Sequence, residues 1–183
     1  MPAAFTGNFE FNPLSLLSPL THIFIHGGWL HLMINAAMGL ALSMFFERLY
    51  GTRTTLIFSI LCALGGAALY MLLNPFTTTP VIGASGIISG FFGAMLLLTL
   101  QQIRQQDRIY SSRSIISGQH ALKQKVSKLM KDRGPWPILI FWGFLMTFFG
   151  LLMGGNVSWS AHLGGYATGI ALLTLMQKGK IRL

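Results

Sequence analysis

The sequence predicts an all-α polytopic membrane protein with five spans, and three observations carry that prediction. Hydrophobic residues make up 52% of the chain and charged residues only 9%, against roughly 25% charged in an ordinary soluble domain. Apolar runs recur at close to the ~20 residues that carry a helix across a bilayer. Once those runs are read as spans, all 13 Lys and Arg fall on one side of the membrane. The net charge of +9 therefore reflects membrane orientation rather than a nucleic-acid surface. The single cysteine, Cys62, lies in an apolar run, so no intrachain disulfide can form.

In chain order, residues 1–27 are a polar-to-mixed outer lead in which Glu10, Asn12, Pro13 and Pro19 oppose a long helix. A transmembrane domain over 28–177 follows, with spans at about 28–47, 54–73, 84–103, 138–154 and 160–177. Short connections lie near Arg48 to Arg53, at 74–83 and at 155–158. Arg48 and Arg53, the basic loop 104–137 and the tail 178–183 share one side, which the positive-inside rule assigns to the cytoplasm. The N-terminus of this chain is then outside and the C-terminus cytoplasmic, as in a bacterial inner-membrane protein. Within the long loop, Leu122, Val126, Leu129 and Met130 alternate with Lys123, Lys125, Lys128 and Lys131 at helical spacing. That pattern suits either a basic helix on anionic membrane lipids or a solvated loop whose charges fix topology.

The chemistry-bearing stretch is Val81-Ile82-Gly83-Ala84-Ser85-Gly86 at the start of the third span. Hydroxyls in spans commonly bond back to a carbonyl four residues earlier, but Ser85 sits too near its helix start. Its backbone N–H is there one of the unpaired first-turn donors. His162 opens the fifth span from the same side, so two intervening crossings bring it to the depth of Ser85. Serine and histidine suffice as nucleophile and general base. No acidic residue is placed to extend the pair: Glu10 is in the lead, Glu47 at the cytoplasmic end, and Asp107 and Asp132 in the inner loop. Gly86, Gly90 and Gly93 in the third span and Gly165 and Gly169 in the fifth permit close helix packing.

A further polar cluster, His22, His26, His31 and Asn35, surrounds Gly27-Gly28-Trp29 at the start of the first span. His31 and Asn35 lie four apart on one helix face and could complete an oxyanion hole as two donors. His22 and His26, also four apart, read as structural hydrogen-bonders. Metal or haem ligation by them would need further ligands of a recognisable motif, which Cys62 and Glu10 do not make.

Taken together, these motifs resemble the rhomboid family of intramembrane serine proteases. They are His22…His26-Gly-Gly-Trp29…His31…Asn35, Glu47, Gly83-x-Ser85-Gly86 and Ala161-His162-x-x-Gly165-x-x-x-Gly169, and the likeness runs from about residue 17 to the C-terminus. The resemblance implies a rhomboid-like helical bundle in which Ser85 is the nucleophile and His162 the base. It implies an oxyanion hole of His31, Asn35 and the Ser85 N–H. Gly83 would form the tight loop beneath the nucleophile, and His22 and His26 would support the lead. The implied substrates are transmembrane proteins cut in or beside their spans, among membrane lipids, without metal or cofactor. The rival within the same family is an inactive relative that binds transmembrane clients. The family core has six spans against the five read here, the missing one being that which would precede Met1. Ser89 stands where relatives often place an aromatic under the histidine, leaving Tyr166 or Phe92 to fill that space, and Leu17-Ser18 stands where they often carry Trp-Arg.

Overall fold

A computed structural model of the chain describes residues 17–75, 79–110 and 158–183, together with positions 140, 141 and 144. The expected fourth span and the basic amphipathic stretch fall essentially outside the described residues. Every regular element described is a helix. A single turn, α1 (Ser18–Thr21), has Pro19 in its first positions, where a missing N–H costs nothing. It passes through a 3-10 turn (His22–Phe24) into α2 (Trp29–Tyr50), α3 (Thr52–Leu73), α4 (Ser85–Tyr110) and α5 (Trp159–Gln177). Among the described residues three helices are long and apolar enough to cross a membrane: α2, α3 and the Ser85–Ile103 part of α4. At 1.5 Å per residue α5 also reaches about 28 Å; Ser160, His162 and its glycines make its first half more polar.

Two boundaries differ from the sequence expectation. Between α2 and α3 stands only Gly51 rather than a loop over Arg48 to Arg53. The Gly51 N–H bonds to the Glu47 carbonyl at 2.7 Å, and the Thr55 N–H and hydroxyl return to the Gly51 carbonyl. Thr52 also donates to Glu47 Oε1 at 2.5 Å, so both helix ends are satisfied across one residue. At its far end α4 continues to Tyr110, past the expected limit near 103. Gln101-Gln-Ile-Arg-Gln-Gln-Asp-Arg contains no breaker and mostly good helix formers.

The bundle is built around α5, which lies in the groove between α3 and α4. Glycines set the approach. A Cβ added at Gly165 would run into the Gly86 carbonyl, and one at Gly169 into the Gly90 carbonyl. On the other side of α5, a Cβ at Gly164 would meet the Gly65 carbonyl and the Leu69 side chain. Backbone therefore touches backbone, the arrangement that helix association in lipid favours because lipid and leucine are equally apolar. Phe46, Phe58 and Phe91 fill the space among α2, α3 and α4, with ring centroids 4.4–5.3 Å apart. Gln101 and Gln177 exchange two amide hydrogen bonds of 2.9 and 2.8 Å, joining α4 to α5 at the end away from Ser85. By contrast α2 leaves Trp29, Leu30, Met33 and Leu40 exposed, an apolar face suited to lipid.

The lead is tied in at His22. Its Nδ1 lies 3.2 Å from the Ser18 carbonyl, and its own carbonyl accepts the Gly83 N–H at 3.0 Å. Burial pushes the His22 imidazole below the usual histidine range, against the opposite pull of backbone hydrogen bonds at Ser18 and Pro19. Unfolded His22 takes up a proton near pH ~6.5; folded His22 resists it to lower pH. Stability is therefore complete above the unfolded value and is lost as pH falls through the folded one.

Two measurements check this account. Gly169→Ala should destabilise the purified protein by about 1–3 kcal/mol in detergent unfolding, because an inserted methyl meets backbone that cannot yield. Gly39→Ala, whose Cβ would make an ordinary 3.7 Å contact with Ile88, should cause no loss. Between pH 7.5 and pH 5 the wild type should lose more thermal stability than His22→Gln, since the variant lacks that protonation step.

Candidate active site

Ser85 is the first residue of α4, and the connection leading into it is shaped by Gly83. Gly83 has φ +95°, a conformation that a side chain disfavours. A Cβ there would also lie 2.9 Å from His31 Nε2. Both conditions require glycine, and together they turn the chain sharply so that Ser85 begins a helix facing α5. His162 is in the first turn of α5, where its N–H and that of Ala161 bond to the Ser158 carbonyl at 3.2 and 2.9 Å. The two N-termini meet at one end of the bundle, and Ser85 Oγ lies 2.7 Å from His162 Nε2. That is hydrogen-bond distance for proton transfer between a hydroxyl and an imidazole.

His31 and Asn35 approach the same turn from α2. The Gly83 Cβ position lies 3.8 Å from Asn35 Nδ2 as well as beside His31 Nε2. Asn35 Nδ2 spends one hydrogen on the His31 carbonyl at 2.9 Å, leaving its second for a ligand. The Gly27 N–H donates to His31 Nδ1 at 3.4 Å, which favours the tautomer carrying its proton on Nε2, the nitrogen beside Gly83. His26 packs edge-on against His31 with centroids 5.2 Å apart and its Nδ1 lies 3.3 Å from the Phe24 carbonyl. His22 does not enter this group; it supports the connection below, through Gly83.

Thr21 Oγ1, His26 Nε2 and Asn35 Oδ1 are buried polar atoms with no hydrogen-bond partner. Such atoms are rare in folded proteins, where buried polar groups bond to protein or to ordered water. Glu47 is the one acidic residue whose side chain is described, and it bonds to Thr52 at the opposite end of α2. Among the described residues no group of three or more His, Cys, Asp or Glu is placed to hold a metal. Tyr166, one turn below His162, packs against Gly93 with its ring 6.5 Å from Phe92. It belongs to the main core rather than to the polar cluster.

Three residues here were not singled out from sequence. Asn74, just past α3, donates from Nδ2 to Ser160 Oγ at 3.2 Å and to the Tyr70 carbonyl at 3.0 Å. Tyr70 donates its hydroxyl to the Thr79 carbonyl at 2.6 Å. The available signal was the four-residue spacing of Tyr70 and Asn74 at the Ser85 end of an apolar span.

Two proteins of Toxoplasma gondii are similar to this chain. Rhomboid-like protease 3 is 28% identical over 172 residues, covering 92% of this chain and 54% of that protein. Rhomboid-like protease 5 is 32% identical over 79 residues, covering 43% of this chain and 9% of that protein. The chain thus spans about half the length of the first. The family model described as Rhomboid domain matches residues 14–179, nearly the whole sequence and all the helices described above. This integral membrane protein belongs to the rhomboid family.

Proposed function

We infer that the chain is an intramembrane serine endopeptidase acting through Ser85 and His162. The observation that carries this reading is the 2.7 Å approach of Ser85 Oγ to His162 Nε2 across two helix N-termini. In the proposed reaction His162 Nε2 accepts the Ser85 proton as Oγ attacks a peptide carbonyl. The same imidazole then protonates the departing amine, leaving an ester on Ser85 that water hydrolyses by the reverse sequence.

Negative charge that develops on the carbonyl oxygen needs donors already in place. The Ser85 N–H is an unpaired first-turn donor of α4, while His31 Nε2–H and the second Asn35 Nδ2 hydrogen face the neighbouring Gly83. The Lys and Arg distribution favours the dyad end of the bundle on the outer side, and in this reading water reaches Ser85 from the exterior. The substrates of this reading are membrane proteins presenting a locally unwound stretch at that depth.

Ser85→Ala and His162→Ala should each abolish cleavage of a transmembrane substrate co-reconstituted in liposomes, with unchanged helical circular dichroism. Undiminished cleavage by either variant refutes the assignment and favours a relative that only binds transmembrane clients. A fluorophosphonate probe should label the wild type and not Ser85→Ala, located by mass spectrometry of the labelled peptide. Asn35→Ala should lower kcat by about 10²–10³ with little change in KM, the signature of a donor used in the transition state.

A further inference from the structure

We propose that Tyr70 and Asn74 of the α3 end are positioning residues that set the relative placement of Ser85 and His162. The inference rests on the protease reading and assigns residues that touch neither member of the pair. The smooth backbone contact between α4 and α5 fixes how close these helices lie. At the first turns themselves the glycine surfaces offer no side chain to set height or rotation; the nearest such lock, Tyr166 on Gly93, lies further along the seam. A hydroxyl and an imidazole that must keep a 2.7 Å contact need a polar pin as well.

The end of α3 supplies that pin to both partners. Asn74 folds back on α3 through its N–H and Nδ2 to the Tyr70 carbonyl, at 2.9 and 3.0 Å. So anchored, Nδ2 holds Ser160 Oγ at 3.2 Å, two residues before His162 and only 1% exposed. Tyr70 holds the other partner: its hydroxyl bonds to the Thr79 carbonyl at 2.6 Å, in the connection that delivers Ser85. Its ring packs with Val81 from that connection and Ala161 from the first turn of α5, forming a small buried cluster of their own. One helix end thus grips the segment before the nucleophile and the segment before the base. The Gly83 N–H on the His22 carbonyl fixes the connection at a second point, so tilt is restrained as well as height.

The test uses the full chain in liposomes with a transmembrane substrate, and the fluorophosphonate labelling rate as a measure of nucleophile activation. Tyr70→Phe keeps the ring and removes the hydroxyl; Asn74→Ala and Ser160→Ala remove the other bond from either side. Tyr70→Phe and Asn74→Ala should each slow kcat and labelling by about ten-fold or more, since a small misplacement of reacting groups is costly. KM and melting temperature should stay near wild type. The Asn74→Ala/Ser160→Ala double variant should be no slower than Asn74→Ala, because both remove one interaction. Gln101→Ala, which breaks the hydrogen bonds at the far end of α4 and α5, should leave the rates unchanged. Variant rates within about two-fold of wild type, or losses that follow the unfolded fraction, overturn the inference and leave the protease reading standing. A folded wild type that neither cleaves nor labels overturns the protease reading and this inference with it.

Discussion

Contact of backbone with backbone along α5 is the constraint on which the rest of the structure depends. In lipid no hydrophobic force gathers helices, so close packing and interhelical hydrogen bonds must do so. Gly164, Gly165 and Gly169 let α5 lie against α3 on one side and α4 on the other. A bulkier side chain at these positions would hold α5 off the neighbours against which it packs. The Ser85 Oγ to His162 Nε2 contact of 2.7 Å would then open, because both residues are carried on those helices. Packing along the helices is thereby converted into the geometry of two atoms at their ends.

Among the described residues the polar end of the bundle is organised by helix termini rather than by acidic side chains. Ser85 opens α4 and His162 lies in the first turn of α5, so the positive ends of two helix dipoles meet there. The described carboxylate, Glu47, is occupied at the other end. The first turn of α5, which carries the imidazole, is held by the Ser158 carbonyl and, through Ser160, by Asn74 at the end of α3. Thr21 Oγ1, His26 Nε2 and Asn35 Oδ1 are buried at this end without a protein partner, sites where a bound water would be accommodated.

Much of the helical membrane architecture was legible because composition and span length are governed by the bilayer. Counting crossings placed Ser85 and His162 on one face, and these residues lie together in the structure. The spacing of His31 and Asn35 put them on one face of α2, and both reach the turn at Gly83. Connections were harder to read. A one-residue joint at Gly51 depends on Thr52, Thr55 and Glu47 satisfying each other, which no periodicity announces. Extension of α4 to Tyr110 follows from propensity beyond the apolar run, whereas the span limit had been set by hydropathy. Tyr70, Asn74 and Ser160 escaped notice because isolated polar residues at span ends resemble the beginnings of loops. Their partners are distant in sequence and become visible only in three dimensions.

The paired amides of Gln101 and Gln177 carry a consequence for how far α4 and α5 can move apart. With glycine contacts along the middle of α4 and α5 and these amides fastening the far end, the seam between the two helices is sewn along its length. The α3–α5 seam is similarly closed by Gly65 and Gly164. Neither α3 nor α4 can therefore part from α5 without giving up these contacts. By contrast α2 keeps an apolar face turned outward at Trp29, Leu30, Met33 and Leu40.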